Sequence, residues 1–161
     1  MNALTDAAVI EELYAASQQG ARVEIVSRSI CMLRPGVSGL SENIHVRSIA
    51  GRYLEHSRVY GFEIGGETEF FLGSADLMNR NLDRRVEVLV PVEQGRLRQE
   101  LTAVFDSAWS DNTSSWELSS DGTWTRRRRA KDERAHAHQQ NLQRRARLRS
   151  RRALGSRSRG R

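Results

Sequence analysis

The chain has 161 residues, with 26 Lys or Arg against 20 Asp or Glu, and its formal net charge of +6 hides two unlike segments. Residues 1–125 hold 11 basic and 18 acidic side chains, net −7, while residues 126–161 hold 15 and 2, net +13. Lys131 is the only lysine, which excludes a Walker A phosphate loop, a Schiff-base lysine and a complete His-x-Lys motif from the first 125 residues. A stretch of about 125 residues suffices for one domain with its own core. No apolar run approaches the roughly 18 residues of a membrane span. The opening string MNALTDAAVIEELY carries two glutamates and no basic region, unlike a signal peptide. Cys31 stands alone, so an internal disulfide and a multi-cysteine zinc site are excluded, and a reducing, cytoplasmic compartment is expected.

In chain order, Val9, Ile10, Leu13, Tyr14 and Ala16 follow helical spacing, with Thr5 or Asp6 able to cap the start and Gly20 to end it. RVEIVS (22–27) is short and β-branched and predicts a strand. Residues 34–43, with Pro35, Gly36, Gly39 and several serines, predict a long loop, and long loops are often binding elements. Residues 44–56 predict a short strand or turn followed by a helical segment around 51–55. Val59, Tyr60 and Phe62 predict a strand that turns at Gly65-Gly66 and returns as EFFL (69–72). Val86, Val88, Val90 and Val92 alternate as another strand, and Leu97, Leu101, Val104, Phe105 and Ala108 mark a second amphipathic helix. Helices interleaved with strands imply an α/β domain with a largely covered sheet. From residue 126 onward apolar surface is too sparse to offset ordering, so the tail is expected to be disordered or weakly helical and outside the core.

Several polar signatures at the strand ends exceed what packing requires: Arg28 just after a strand, LEHSR (54–58), GSAD (73–76) and RNLDRR (80–85). The crevice beyond strand ends is the usual ligand site of an α/β sheet. His56 stands out, because an imidazole titrates near neutral pH and serves as nucleophile, acid or base in phosphoryl transfer when arginines hold the phosphate oxygens. It lies two residues before Arg58, seven before Glu63 and seventeen before Gly73-Ser74. That arrangement resembles a degenerate copy of the His-x-Lys-x4-Asp-x6-Gly-Ser motif of the phospholipase D superfamily, with Arg for Lys, Glu for Asp and a late Gly-Ser.

Longer strings carry a denser resemblance: SQQGARVEIVSRSICMLRPGVSGLSENIHVRSIAGRYLEHSRVYGFE (17–63), FFLGSADLMNRNLDRRVEVLVPV (70–92) and SDNTSSWELSSDGTW (110–124). They look like the C-terminal part of bacterial polyphosphate kinase, over roughly residues 2–126. The resemblance implies a phospholipase-D-like mixed sheet flanked by helices over residues 1–125, followed by an arginine-rich tail over 126–161. It also implies reversible transfer of the γ-phosphate of ATP to polyphosphate through a phosphohistidine that lies upstream of Met1, in the first of a domain pair. On that basis the chain alone is expected to be inactive. Mg2+ would be held mainly by the upstream portion, with no metal ligands in this chain, and the full-length family implies a homo-oligomer.

By the same resemblance His56 is the catalytic candidate, and Arg28 with His56 are the nucleotide-phosphate ligands. Arg28 would clamp phosphate oxygens with its planar fork, and His56 would hydrogen-bond the same group or move a proton at a phosphoryl oxygen. Arg58 and Arg80 are secondary candidates for polyphosphate contact. Arg84 and Arg85 are expected to pair with Asp83 and Glu87 or face solvent, and Asp76 to orient His56 or cap a helix. Ser27, Ser29 and Leu77 depart from the family's usual residues but remove no ligand. His136 and His138 lack a third metal partner and are expected to be solvated, and Trp109, Trp116 and Trp124 are expected to pack. The competing reading is a non-enzymatic module that binds RNA or polyphosphate through the +13 tail, since such a segment releases counterions from any polyanion. Against it, a dedicated nucleic-acid domain carries its positive charge on the folded part.

Overall fold

The computed structural model describes the backbone of residues 1–157 and the side chains of residues 1–151. The last four residues of the basic tail lie outside the described residues. The first helix, α1 (Ala7–Gln18), starts where Asp6 accepts a hydrogen bond from the Val9 amide at 3.1 Å. It leads into β1 (Val23–Val26), which pairs in parallel with β2 (Ile44–Ile49). The connection between them, the serine- and glycine-rich stretch, is a packed crossover. Leu33 is buried within it, and Ser41 Oγ donates to the Arg34 carbonyl at 2.6 Å. Two antiparallel strands, β6 (Ser115–Leu118) and β7 (Trp124–Arg126), complete a mixed sheet of order β1-β2-β6-β7. Leu4, Ile10, Ile25, Leu33, Ile44 and Val46 form the core between this sheet and α1, with Trp124 packed against them.

A second sheet, of order β3-β4-β5, is antiparallel throughout. β3 (Val59–Ile64) and β4 (Glu67–Gly73) form a hairpin whose turn is Gly65-Gly66, both with φ positive at 63° and 85°. Consecutive left-handed residues twist a two-residue turn to match its strands, and glycine adopts them without Cβ strain. Phe70 faces inward against Phe105 of α3 (Gly95–Trp109), with ring centroids 5.7 Å apart. The outer face of this sheet is open, with Phe62, Ile64 and Leu89 exposed on it; Leu72 and Val90 lie on the face of Phe70 and are exposed as well. The expected α/β class, a mixed sheet flanked by helices, is what forms; what departs from the expectation of a largely covered sheet is the second, antiparallel sheet with its exposed apolar face.

Three further expectations are corrected. The valine alternation yields only β5 (Leu89–Pro91), an edge strand in which Pro91 lacks a donor, and Val86 is fully outside at 98% exposure. The helix expected around 51–55 does not form, because the backbone groups there are engaged by side chains from elsewhere, as described below. Among the described residues the tail takes the helical alternative and, contrary to expectation, packs on the body instead of standing outside it. Trp124–Arg126 is strand β7, residues 127–137 run back along the domain, and α4 (His138–Arg157) packs on α3, with Arg149 paired to Glu100 at 2.7 Å. Hydrogen bonding rather than apolar burial supplies the docking, so a count of apolar side chains misses it. A short helix, α2 (Asn79–Leu82), links β4 to β5.

Leu33 locks the crossover into the main core. Leu33→Ala is expected to lower unfolding stability by about 3 kcal/mol, against a change within about 0.5 kcal/mol for the exposed Leu148→Ala, both measured by urea denaturation.

Candidate functional site

The strand-end residues singled out by sequence gather where β1 ends and β3 begins. Ser27 is fully buried and, with Ser29, donates from its hydroxyl to the Asn2 carbonyl, at 3.2 and 2.7 Å. That anchors the backbone on both sides of Arg28. The half-buried Arg28 guanidinium crosses to the loop after β2, where Nη1 donates to the Glu55 carbonyl at 2.8 Å. His56 follows directly and is exposed. Arg58 Nη1 lies 2.7 Å from His56 Nδ1 and donates to the His56 carbonyl at 2.8 Å. The same Arg58 nitrogen lies 3.3 Å from His56 Nε2, so the guanidinium sits against both ring nitrogens.

Arg58 is held in turn by Asp76, which is buried at 3% exposure. Asp76 Oδ2 accepts from Arg58 Nη2 at 2.8 Å and from Asn2 Nδ2 at 3.1 Å, and Oδ1 accepts from the Asn2 amide at 2.7 Å. Desolvation pushes the Asp76 carboxyl up, but hydrogen bonds from Arg58 and from the Asn2 backbone and side chain outweigh it and hold it down at about 2. Asp76 is no helix cap, since α2 begins at Met78 without a side-chain cap. Its link to His56 runs through Arg58. Tyr60 donates its hydroxyl to the Ala75 carbonyl at 2.8 Å beside it, and burial together with the Asp76 charge pushes that phenol up to about 12.

Gly73-Ser74 borders this cluster. The Gly73 amide donates to the Arg58 carbonyl at 2.9 Å, and the Ser74 hydroxyl donates to Glu87. Hydrogen bonds from Ser74 and Asn81 hold the Glu87 carboxyl below its usual range. Arg85 pairs with Glu87 at 3.3 Å. Arg80 is exposed on α2 and Arg84 is exposed beyond it, and neither makes a hydrogen bond or ion pair to the Arg28–His56–Arg58 group among the described residues. Arg28, Glu55 and Ser57 also line a cavity of about 130 Å³ whose remaining wall is mostly apolar, including Ile25, Ile49 and Phe105.

Two residues at the site escape a reading based on motifs. Gln139 Nε2 donates to the Tyr53 carbonyl and to Glu55 Oε1, both at 2.7 Å, and its Oε1 accepts from the Tyr53 amide at 2.8 Å. Asp111, fully buried, fixes the segment that brings Gln139 there: its Oδ2 accepts from the His138 amide at 2.8 Å, and its Oδ1 from the Thr113 and Ser114 amides at 2.9 and 2.7 Å. Burial pushes the Asp111 carboxyl up, and the Ser114, His138 and Thr113 amides more than offset it. His138 is buried rather than solvated, and burial pulls its imidazole down. A sequence signal for this segment exists, because AHAHQQNLQ (135–143) has no Lys, Arg, Asp or Glu in a tail otherwise crowded with charge. Trp109 packs beneath Arg47, whose Cζ lies 4.1 Å from the ring centroid.

A mixed α/β domain whose strand ends present arginines and a histidine defines a class of phosphate-compatible domains, and comparison with known proteins gives the family. Residues 1–140 match the model described as polyphosphate kinase C-terminal domain 2, and the chain belongs to the polyphosphate kinase family. The match passes the boundary expected near residue 126 and takes in Gln139. The chain is 52% identical over 139 residues to the polyphosphate kinase of Synechocystis sp. and 58% identical over 125 residues to that of Mycobacterium avium. It covers 19% and 17% of those two proteins, and 86% and 78% of itself is covered in return. The crystal structure of polyphosphate kinase from Porphyromonas gingivalis superposes with a TM-score of 0.87 at 35% identity, over 92% of this chain and 23% of that one. Among the described residues, no helix is long and apolar enough to cross a membrane.

The Asp76 carboxyl sits near 2 against an ordinary 3.8, so its contribution is present above pH 4 and lost as pH falls toward 2. Wild type should lose about 2 kcal/mol across that window through Asp76. Asp76→Asn should be less stable at pH 7 and show a flatter acid limb, as urea unfolding at a series of pH values will measure.

Proposed function

We propose that this chain supplies one half of the phosphate-binding crevice of a polyphosphate kinase, the enzyme that moves the γ-phosphate of ATP reversibly onto polyphosphate through a phosphohistidine. The observation that carries this reading is the linkage of Arg28, His56 and Arg58 through residues 55 and 56: one guanidinium rests on the Glu55 carbonyl and the other on His56 itself. Residues 1–125 have a net charge of −7, so a polyanion is drawn to this face by a few placed groups and not by bulk charge.

Arg28 clamps phosphate oxygens and offsets charge as the phosphoryl group moves. A ring N–H of His56 donates to the same group and can pass its proton to a leaving oxygen, while Arg58 holds the ring. One Arg58 nitrogen is committed to Asp76 and another to His56, which makes it a weaker phosphate contact than Arg28. Arg80, further away on α2, fits only an extended polyphosphate chain. The phosphorylated histidine belongs to the part of the family polypeptide that this chain does not span. Mg2+ supplies charge neutralisation on transferring phosphates, but the carboxylates here do not fit a site for it. Both Asp76 oxygens already accept hydrogen bonds, and among the described residues no three His, Cys, Asp or Glu side chains are grouped to hold a metal ion.

Isothermal titration with ATP and with tripolyphosphate tests the reading. Arg28→Ala and His56→Ala should each weaken binding about tenfold or more. In the chain assembled with the remaining family polypeptide, each should also lower phosphotransfer by about a hundredfold. Binding and transfer unchanged in both variants would reject the assignment.

A second reading, polyanion binding by the basic segment, draws on α4. Arg144, Arg147 and Arg151 are exposed there and make no ion pair among the described residues. Deleting residues 144–161 should abolish salt-sensitive binding to RNA while leaving tripolyphosphate binding to the domain intact.

A further inference from the structure

The loop that carries His56 has an unusual hydrogen-bond economy. Among the described residues, the backbone of residues 51–57 makes no backbone–backbone hydrogen bond; the nearest are Ala50 N to Ser114 O at 2.9 Å and Gly73 N to Arg58 O at 2.9 Å. Everything that pins the intervening backbone comes from three side chains. Arg28 takes the Glu55 carbonyl, Arg58 takes the His56 carbonyl, and Gln139 takes both the amide and the carbonyl of Tyr53. A primary amide bonded to both polar groups of one residue reproduces the pairing a strand neighbour would supply, which fixes the peptide in position and orientation.

The surroundings are built to receive this amide. Gln139 is buried at 8% exposure, and its third bond goes to the Glu55 carboxylate. Gly51 lies directly against it: a Cβ at Gly51 would overlap the Gln139 side-chain amide, so any larger residue there would push that amide out of place. Gln143, one turn further along α4, donates to the Tyr53 hydroxyl at 2.8 Å. The segment before Gln139 is anchored independently of the loop. Asp111 holds the His138 amide, while Asn112 accepts from the His136 amide at 2.8 Å and donates to the Arg134 carbonyl at 2.9 Å. His138 and Leu142 from the same segment line the cavity that Arg28 and Glu55 also line.

We propose that residues 134–143 form a strap that holds the His56 loop in its phosphate-binding geometry, with Gln139 as a positioning residue for Arg28 and His56. The proposal rests on the phosphate-site reading above and adds a part of the machinery to it. Removing the Gln139 amide frees the Tyr53 peptide and loosens Glu55, whose carbonyl is the seat of the Arg28 guanidinium. The loss reaches the phosphate ligands without Gln139 touching phosphate.

The test uses the full 161-residue chain. Backbone amide exchange followed by NMR should show the Tyr53 amide protected in wild type and unprotected in Gln139→Ala, with α1 and β2 amides unchanged. Tripolyphosphate affinity should fall about fivefold to tenfold in that variant. Gln139→Glu keeps an acceptor for the Tyr53 amide but has no donor for the Tyr53 carbonyl and sets a second carboxylate beside Glu55, so it should be at least as weak. Loss of Tyr53 protection and of affinity with the α1 and β2 amides unchanged separates positioning from a general loss of structure. Wild-type protection and affinity in a folded Gln139→Ala chain would overturn the strap. Absence of tripolyphosphate binding in wild type would instead overturn the phosphate-site reading, and Tyr53 protection would still decide whether the strap exists.

Discussion

The site depends on one constraint: in the loop between two sheets, the seven residues 51–57 have no backbone–backbone partner among the described residues. β2 ends at Ile49 in the mixed sheet and β3 starts at Val59 in the antiparallel one, so the chain between them must leave one ladder before it enters the other. Backbone groups in such a passage need partners or water. Arg28 from the end of β1, Arg58 from the approach to β3 and Gln139 from the far end of the chain supply them. The residues that order the loop are therefore largely those proposed to receive phosphate, and distant segments meet in a single arrangement.

Electrostatics sharpen that arrangement. A buried carboxylate is costly unless fully hydrogen-bonded, and Asp76 reaches that condition by accepting from Arg58 and from Asn2. The pairing holds Arg58 in place and aims its other nitrogen at the exposed His56 ring and its carbonyl. Lysine could not perform both tasks at once, because its donors radiate from one atom and lack the planar fork. Arg28, unlike Arg58, has no carboxylate partner among the described ion pairs, which leaves its charge for the proposed anion.

Much of this was legible in the sequence, for physical reasons that differ by element. α1 and α3 declare themselves through apolar spacing and, for α1, the Asp6 cap, and the β3–β4 hairpin through its Gly-Gly turn. Arg28, His56 and Arg58 stand out as polar residues at strand ends where packing asks for none. The division into two sheets was not legible, because period-two patterns report which face is buried and not which strand is the neighbour. The docked segment 134–143 was hidden by composition: segments dense in arginine predict disorder on apolar content alone, whereas Asp111, Asn112 and Gln139 dock this one by hydrogen bonds. Its freedom from charge in AHAHQQNLQ was the visible trace.

The central claim, that Arg28 and His56 receive phosphate on a loop held from outside, is tested most directly by side-chain 15N NMR during a tripolyphosphate titration at moderate salt. The account predicts that the Arg28 guanidinium and His56 Nε2 resonances shift together along one saturable curve, ahead of any change in Arg144 or Arg147. Shifts confined to the arginines of α4, with Arg28 and His56 unmoved at saturation, would contradict it.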